Sequence, residues 1–403
     1  MIRSIAVSLV ITGLLVACGD DRPTESSSDW TTWEQAIGGP GDEWAQGVAV
    51  AEDGSIVVVG ARGPVGNTDA LIIMTDSNGQ LLWELVQERA HSAILYDVTL
   101  TADSQIIAVG REGGIDEDTR MLVVKCDWSG RSVWVRAYPS IGYDEARAVI
   151  SLDDRSCIIG GTKTGYGQTG RDLFVMRIDP NGEYIWRQSL VTSLDQDGFD
   201  LAEMSDGSVV LTGITQLPDN TYQPMLLHTT RAGDALDQWT IARSVSYHPI
   251  AAVGLTGNQI LLSTWRNRGS DGLRDWESDE QFFVLDASGE LIWEYTTPDN
   301  DGANYIYDMV STPAGGVLAV GSTSSRLLHA SARDIHIVRI DASGQVDASG
   351  TIGYHSFEDG YAVARHPGGG YVIAGATRSI GHGGSDIYLI RTDEDGRAGL
   401  PEE

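Results

Sequence analysis

Asp179-Pro180-Asn181-Gly182-Glu183-Tyr184-Ile185-Trp186 is the stretch whose reading decides the fold. An Asp three residues before a Gly marks a tight turn, because the carboxylate can accept from turn N–H groups and Gly tolerates φ > 0. The same turn returns at Asp76–Gly79, Asp127–Gly130, Asp286–Gly289, Asp341–Gly344 and Asp393–Gly396, with Arg231-Ala232-Gly233 as a degenerate copy. Successive first positions (76, 127, 179, 231, 286, 341, 393) are 51, 52, 52, 55, 55 and 52 residues apart, so one unit is present seven times. Within a unit, runs such as Ile56-Val57-Val58-Val59-Gly60 and Ala70-Leu71-Ile72-Ile73-Met74 are short, β-branched and bounded by Gly and Asp, with no stretch of helical period. Four such strands in about 50 residues are the signature of a propeller blade. From Trp30 to Leu400, 371 residues over seven units allow 53 for each. The expected fold is therefore all-β, a seven-bladed β-propeller of four-stranded blades.

The tryptophans test this register and predict how the ring closes. Trp83, Trp134, Trp186, Trp239 and Trp293 mark fourth strands, and Val346 stands near the equivalent place in the sixth copy. The seventh copy runs to Glu403 without a fourth strand, whereas Trp33 lies 50 residues before Trp83 in the same strand context. An N-terminal strand around Trp33 is expected to complete the last blade, removing an exposed sheet edge.

Composition narrows the class. Among 403 residues there are 27 Lys+Arg against 57 Asp+Glu, a net charge of −30, with 48 Gly and 3 Cys. Acidity of this size opposes a phosphate backbone, so nucleic acid is excluded as an expected partner. The excess Gly belongs to a folded chain with many turns. Met1 to Ala17 has one basic residue and a 13-residue apolar run from Ile5, too short to span a bilayer and matching a secretory signal. Residues 1–17 are expected to be removed. Gly19 to Asp29 is polar and aperiodic, the composition of a tether, which places the expected divisions at 18–29 for the tether, 30–400 for the propeller and 401–403 for a tail.

Leu15-Val16-Ala17-Cys18 resembles the bacterial lipobox. The resemblance implies lipidation of Cys18, attachment to the cell envelope through lipid alone, and, with Gly19 after the cysteine, outer-membrane sorting where the cell has an outer membrane. The Asp179–Trp186 stretch resembles the tryptophan-docking motif of quinoprotein-like propellers, a family with quinone-dependent dehydrogenases and an outer-membrane assembly lipoprotein. Those rings resemble eight-bladed ones with shorter repeats. The whole 50-residue unit is closer to the uncharacterised repeats of secreted bacterial propeller lipoproteins.

Most repeated residues read as scaffold: the turn Asp and Gly as hairpin chemistry, the tryptophans as wedges between blades. Asp69, Asp172, Asp279, Asp334 and Asp386, each seven residues before a turn Asp or its equivalent, read as third-strand caps. Departures from the repeat carry the candidate sites. Tyr96-Asp97-Val98, Phe199-Asp200-Leu201 and Tyr307-Asp308-Met309 open the first strands of blades two, four and six, where other blades have Gln46-Gly47-Val48, Arg147-Ala148-Val149 and Tyr361-Ala362-Val363. First strands line a propeller's channel, so Asp97, Asp200 and Asp308 are expected to converge near its mouth, either holding a cation such as Ca2+ or a polyhydroxy ligand, or bonding neighbouring backbone. Blade five carries the longest insertion, Trp265 to Trp276, with Trp265, Arg266, Arg268, Arg274 and Trp276 as candidate partner contacts, since aromatic and Arg side chains dominate binding hot spots. Cys126 and Cys157, in apolar strands of neighbouring units, are read either as a disulfide or as buried thiols.

Signatures of hydrolases, zinc proteases and phosphate loops are absent, and the eight His are scattered without metal-ligand spacing. The expected function is a non-enzymatic envelope scaffold, with no resident cofactor, that binds a protein or glycan partner on its loop face. The alternative is a polysaccharide-processing or quinone-dependent enzyme using carboxylates at the channel mouth.

Overall fold

Strand pairing follows the repeat almost residue for residue. The computed structural model describes residues 32–114, 118–139, 142–164, 170–242, 251–267, 278–297, 302–325 and 332–398. The expected signal segment, Cys18, the tether, the tail, and Arg268, Arg274 and Trp276 lie outside the described residues. No described segment is a helix long and apolar enough to cross a membrane.

Seven four-stranded antiparallel blades form the β-propeller. Blades five and six are joined by a further single bridge, Ser278 to Ala303. The first strands are Glu43–Val50, Ala93–Leu100, Glu145–Ser151, Gln196–Glu203, Ala251–Leu255, Gly302–Ser311 and Glu358–Arg365. Each packs against the next, and Glu358–Arg365 packs against Glu43–Val50, so the ring is closed. Closure is sealed by the chain's own start: Trp33–Ile37 pairs antiparallel with Asp386–Arg391, from Trp33 opposite Arg391 to Ile37 opposite Ile387. The core is a set of inter-blade clusters rather than one centre, as expected when each sheet buries its faces against its neighbours.

The repeated turn works as its chemistry requires. Asp76 Oδ1 accepts from the N–H groups of Asn78 and Gln80, both at 2.9 Å. Asp127, Asp179, Asp286, Asp341 and Asp393 repeat the arrangement. In the degenerate copy the turn bond runs from Gly233 N–H to the Thr230 carbonyl, so that turn begins at Thr230 rather than Arg231.

Each fourth-strand tryptophan docks on the turn of the following blade. The indole Nε1–H groups of Trp33, Trp83, Trp134 and Trp186 donate to the carbonyls of Ser77, Trp128, Pro180 and Arg231 at 3.1–3.2 Å. The turn glycine forms the floor: a Cβ on Gly79, Gly130, Gly233 or Gly289 would come within 2.6, 2.7, 2.6 and 2.2 Å of the ring of Trp33, Trp83, Trp186 and Trp239. These glycines also have φ between +76 and +94, so conformation and space both demand glycine. In the sixth blade the register puts Ala348, not Val346, at the tryptophan position, opposite Arg339 as Trp186 is opposite Arg177.

Cys126 and Cys157 are free buried thiols. They face different blade interfaces, one the cluster with Val57 and Leu95, the other the cluster with Val109 and Phe174. Burial pushes both thiols up to about 12, so they stay protonated.

Candidate functional site

Six of the seven first strands carry a β-bulge at one level. The register slips between Ala45 and Gly47, Leu95 and Asp97, Ala146 and Ala148, Gly198 and Asp200, Ile306 and Asp308, and Gly360 and Ala362. The extra residues are Gln46, Tyr96, Arg147, Phe199, Tyr307 and Tyr361. A bulge re-aims a side chain out of the pleat, and around a channel it turns one residue per blade toward a common space. The strand of blade five, Ala251–Leu255, pairs with its neighbour without a slip.

The residue after each bulge alternates between small and acidic. Gly47, Ala148 and Ala362 are small, while Asp97, Asp200 and Asp308 are the predicted carboxylates. Asp97 Oδ1 accepts from Val98 N–H at 2.7 Å, and its Oδ2 accepts from Val149 N–H in the next blade, also at 2.7 Å. Asp200 bonds Leu201 at 2.7 Å and Ala252 at 2.8 Å, and Asp308 bonds Met309 and Val363 at 2.7 Å each. Every one of these carboxylates thus spans from blade two to three, four to five or six to seven. They stand midway along the channel-lining strands, Asp97 being fifth of eight residues, rather than at the mouth.

The three do come within electrostatic reach. Each reaches the channel with only part of its surface and is otherwise enclosed by protein. Desolvation pushes Asp97 up to about 6 and, with the charge of Asp97 added, Asp200 up to about 7. Asp308 rises well above the usual carboxylate range through the same desolvation and the charges of Asp200 and Asp97. Such groups titrate as a coupled set. Among the described residues no three His, Cys, Asp or Glu side chains cluster closely enough to hold a metal ion.

Toward the loop face the bulge residues meet arginines. The Arg147 guanidinium stacks over the Tyr96 ring at 4.0 Å and donates to Glu145 at 2.6 Å. Arg111 donates to the Tyr96 hydroxyl at 2.8 Å, and Tyr143 donates to Glu145 at 2.7 Å. Across the ring Tyr305 stacks on Tyr307 at 6.3 Å, and Tyr307 leans on Tyr361 at 5.2 Å. Beside them is a cavity of about 190 Å3 lined by Trp44, Gln46, Arg333, Phe357, Tyr361 and Arg378, among others. Arg333 and Arg378 both stand over the Phe357 ring, at 5.3 and 5.4 Å, and Arg333 pairs with Asp359 at 2.9 Å.

Two predicted contacts on blade five are strand residues. Trp265 and Arg266 belong to the second strand, Gln259–Asn267. Trp265 is 3% exposed, edge-on to Tyr305 at 4.9 Å, so its ring packs the interior instead of facing a partner. Arg266 is half-exposed and pairs with Asp279 at 3.0 Å. Sequence reasoning missed Arg111, Arg333, Arg378 and Trp44, which the unit spacing does not single out. Arg147, Tyr307 and Tyr361 were visible as the residue before the small-or-acidic position, a signal that only the bulge turns into a direction.

No family model matches this chain, and no curated protein matches it. Solved structures do resemble it. The Neurospora crassa Pan2 WD40 domain is 12% identical with a TM-score of 0.51, covering 90% of each chain. BBS1N, solved in complex with ARL6DN, is 10% identical with a TM-score of 0.50, covering 88% of this chain and 94% of that one. A Hadza microbial sialidase, Hz136, is 11% identical with a TM-score of 0.49, covering 82% and 74%. At these identities the likeness is one of fold: the chain is a β-propeller.

Proposed function

We propose that this protein is a lipid-anchored envelope scaffold, attached through Cys18 and binding a protein or glycan partner at the loop face of its ring. The observation that carries the binding half is the mouth itself. In a chain of net charge −30 it gathers Arg111, Arg147, Arg333 and Arg378 with Tyr96, Tyr307, Tyr361, Phe357 and Trp44. Aromatic and Arg side chains held on rigid strands are what binding hot spots are made of, and loops around a fixed scaffold are where partners are met. The Asp97, Asp200 and Asp308 carboxylates favour bracing over acid–base work, because both oxygens of each already accept main-chain N–H groups.

Affinity capture from the native envelope, run beside a glycan array, tests the reading. The parent retains a partner or a glycan class, and the Tyr361→Ala, Arg378→Ala double variant loses at least tenfold of that binding while melting at the parent's temperature. Equal binding by both overturns the site. Palmitate labelling that persists in Cys18→Ala overturns the anchor.

A further inference from the structure

One position at the mouth departs from the repeat in charge. Opposite the residue before each bulge the second strand carries a glycine, at Gly60, Gly110, Gly161, Gly213, Gly321 and Gly375. Three residues on, where the strand leaves toward the loop face, five of these six blades have Gly63, Gly113, Thr164, Gln216 and Ser324. Blade seven has Arg378. Its side chain is exposed, lies over the Phe357 ring at 5.4 Å, and pairs with no carboxylate among the described residues.

The cavity of about 190 Å3 beside it draws on three blades, with Asp42, Trp44 and Gln46 from blade one, Arg333 from blade six, and Tyr361 and Arg378 from blade seven. Its other charges are engaged to different degrees. Asp359 is buried and accepts from Ser322 at 2.6 Å, Arg333 at 2.9 Å and Tyr361 at 3.2 Å, so both its oxygens are taken and Arg333 is neutralised. Asp42 is half-buried, and its side chain accepts only from Ser385 N–H, through Oδ1 at 3.1 Å. Arg378 and Asp42 thus line one cavity without pairing, and the Trp44 indole N–H and the Gln46 amide line it with no partner among the described residues. A cation, a carboxylate and neutral hydrogen-bonding groups around one space call for a ligand that carries both an anion and hydroxyl groups. The volume is below the range of about 300–1,000 Å3 for drug-sized ligands, so it admits one ring and not a length of chain.

We propose that this cavity receives one acidic sugar, a hexuronate unit of a polysaccharide, which names the ligand class for the loop-face reading and rests on it. The sugar carboxylate lies on the Arg378 guanidinium, whose planar fork matches a carboxylate. Ring hydroxyls donate to Asp42 and accept from Trp44 and Gln46, and the C–H face of the pyranose packs on the Tyr361 ring. An acidic side chain on a methylene stem would place the same charge on Arg378 but leave Asp42 and the neutral donors unserved, and a site built to hydrogen-bond hydroxyls rejects a ligand without them. The net charge of −30 does not oppose this, because at physiological salt charges farther than about 8 Å are largely screened and the local Arg378 decides.

The test uses the whole protein labelled at its indole nitrogens, with the Trp44 signal assigned through Trp44→Phe. It is titrated with the methyl glycoside of glucuronic acid, with the methyl ester of that glycoside, and with glutamate. The expected result is a saturable shift of the Trp44 indole N–H with the acid glycoside. Affinity should be at least tenfold weaker for the ester, which keeps the ring and loses the charge, and for glutamate, which keeps a carboxylate and loses the ring. Arg378→Gln should bring the acid glycoside down to the ester's affinity and leave the ester's unchanged. Equal affinity for acid and ester overturns the anion site, glutamate binding as tightly as the acid glycoside overturns the sugar, and no Trp44 shift with any of the three overturns both. The parent titrations decide the ligand class whatever Arg378→Gln does. The loop-face reading fails separately: a captured partner that the Tyr361→Ala, Arg378→Ala variant no longer holds, beside a parent that does not bind the acid glycoside, removes the hexuronate and leaves that reading standing.

Discussion

The outer and inner seams of the ring do the same job with opposite chemistry. On the rim, a neutral indole N–H meets a main-chain carbonyl over a glycine at four interfaces, and at two more the ring of Trp239 or Trp293 covers the turn glycine. In the channel, a carboxylate held away from water accepts two main-chain N–H groups, and only at the interfaces two–three, four–five and six–seven. The rim seam is generic and tolerates one omission. The inner seam divides the ring into pairs and leaves blade one outside them. There Gly47 stands in place of an Asp, with the Tyr96 carbonyl and Asp97 Cα 2.8 and 2.9 Å from where its Cβ would be. An odd number of blades cannot be fully paired, and the odd blade adjoins the blade that the N-terminal strand completes.

The sharpest way to break this comparison is to remove that strand. Deleting Trp33–Ile37 leaves Asp386–Arg391 as a bare edge and strips Gly79 of its tryptophan, so the rim seam is lost at the closing interface, where blade one carries Gly47 in place of an inner-seam Asp. Cooperative unfolding should be lost in calorimetry. A melting transition unchanged in temperature and sharpness would mean that the ring closes by other means.

A second test separates glycine as conformer from glycine as floor. Gly289 and Gly344 have nearly the same φ, +81° and +86°, but a Cβ would sit 2.2 Å from the Trp239 ring in one and 3.6 Å from the Trp293 ring in the other. Gly→Ala at either carries the left-handed backbone cost, about 1–2 kcal/mol. At Gly289 overpacking adds about 1–3 kcal/mol. Urea unfolding should therefore rank Gly289→Ala well below Gly344→Ala, and equal losses would reduce the socket to a turn.

How far the chain was legible follows from the same division. The rim seam was readable because its residues recur at fixed spacing, and periodicity survives without coordinates. Closure was readable because Trp33 has the spacing of Trp83. The inner seam was visible only as an exception, Asp97, Asp200 and Asp308, with its meaning hidden: a partner 52 or 55 residues away through a main-chain N–H leaves no residue-type signature. Trp265 misled because an aromatic beside an insertion looks like a loop residue, while the strand pairing with Glu280 turns it inward. The arginines of the mouth come from different blades and different strand positions, so only the bulges and the ring bring them together.

Acidity of the channel provides the next test. A carboxyl whose folded pKa is raised holds its proton more tightly in the native state than in the unfolded chain. Its stabilising contribution is complete below the ordinary carboxylate range near 3.8 and is lost as pH rises through about 6 for Asp97 and about 7 for Asp200. The parent should therefore lose stability relative to Asp200→Asn between about pH 4 and pH 7. His366, held down to about 4 by burial, contributes in the opposite direction below pH 6.5, so the difference between the two proteins is the quantity to plot. A flat difference across that window would show that Asp200 titrates as an exposed carboxylate and that the inner seam holds no buried charge.

The smallest effect concerns the indole hydrogen bond itself. Phe in place of Trp keeps most of the ring on the glycine and removes the N–H, which is worth about 1 kcal/mol where nothing replaces it. The sockets differ in whether something does. The Pro180 carbonyl under Trp134 also accepts from Lys125 Nζ at 3.1 Å, and the Arg231 carbonyl under Trp186 accepts from Arg177 at 2.8 Å. At those two interfaces the acceptor stays satisfied after substitution. Trp83→Phe should therefore cost about 1 kcal/mol and Trp134→Phe measurably less, read as a difference in urea midpoint at constant slope. The reverse order would mean that the cation and the indole act together on one carbonyl, and that the rim seam is strongest where a charge supports it.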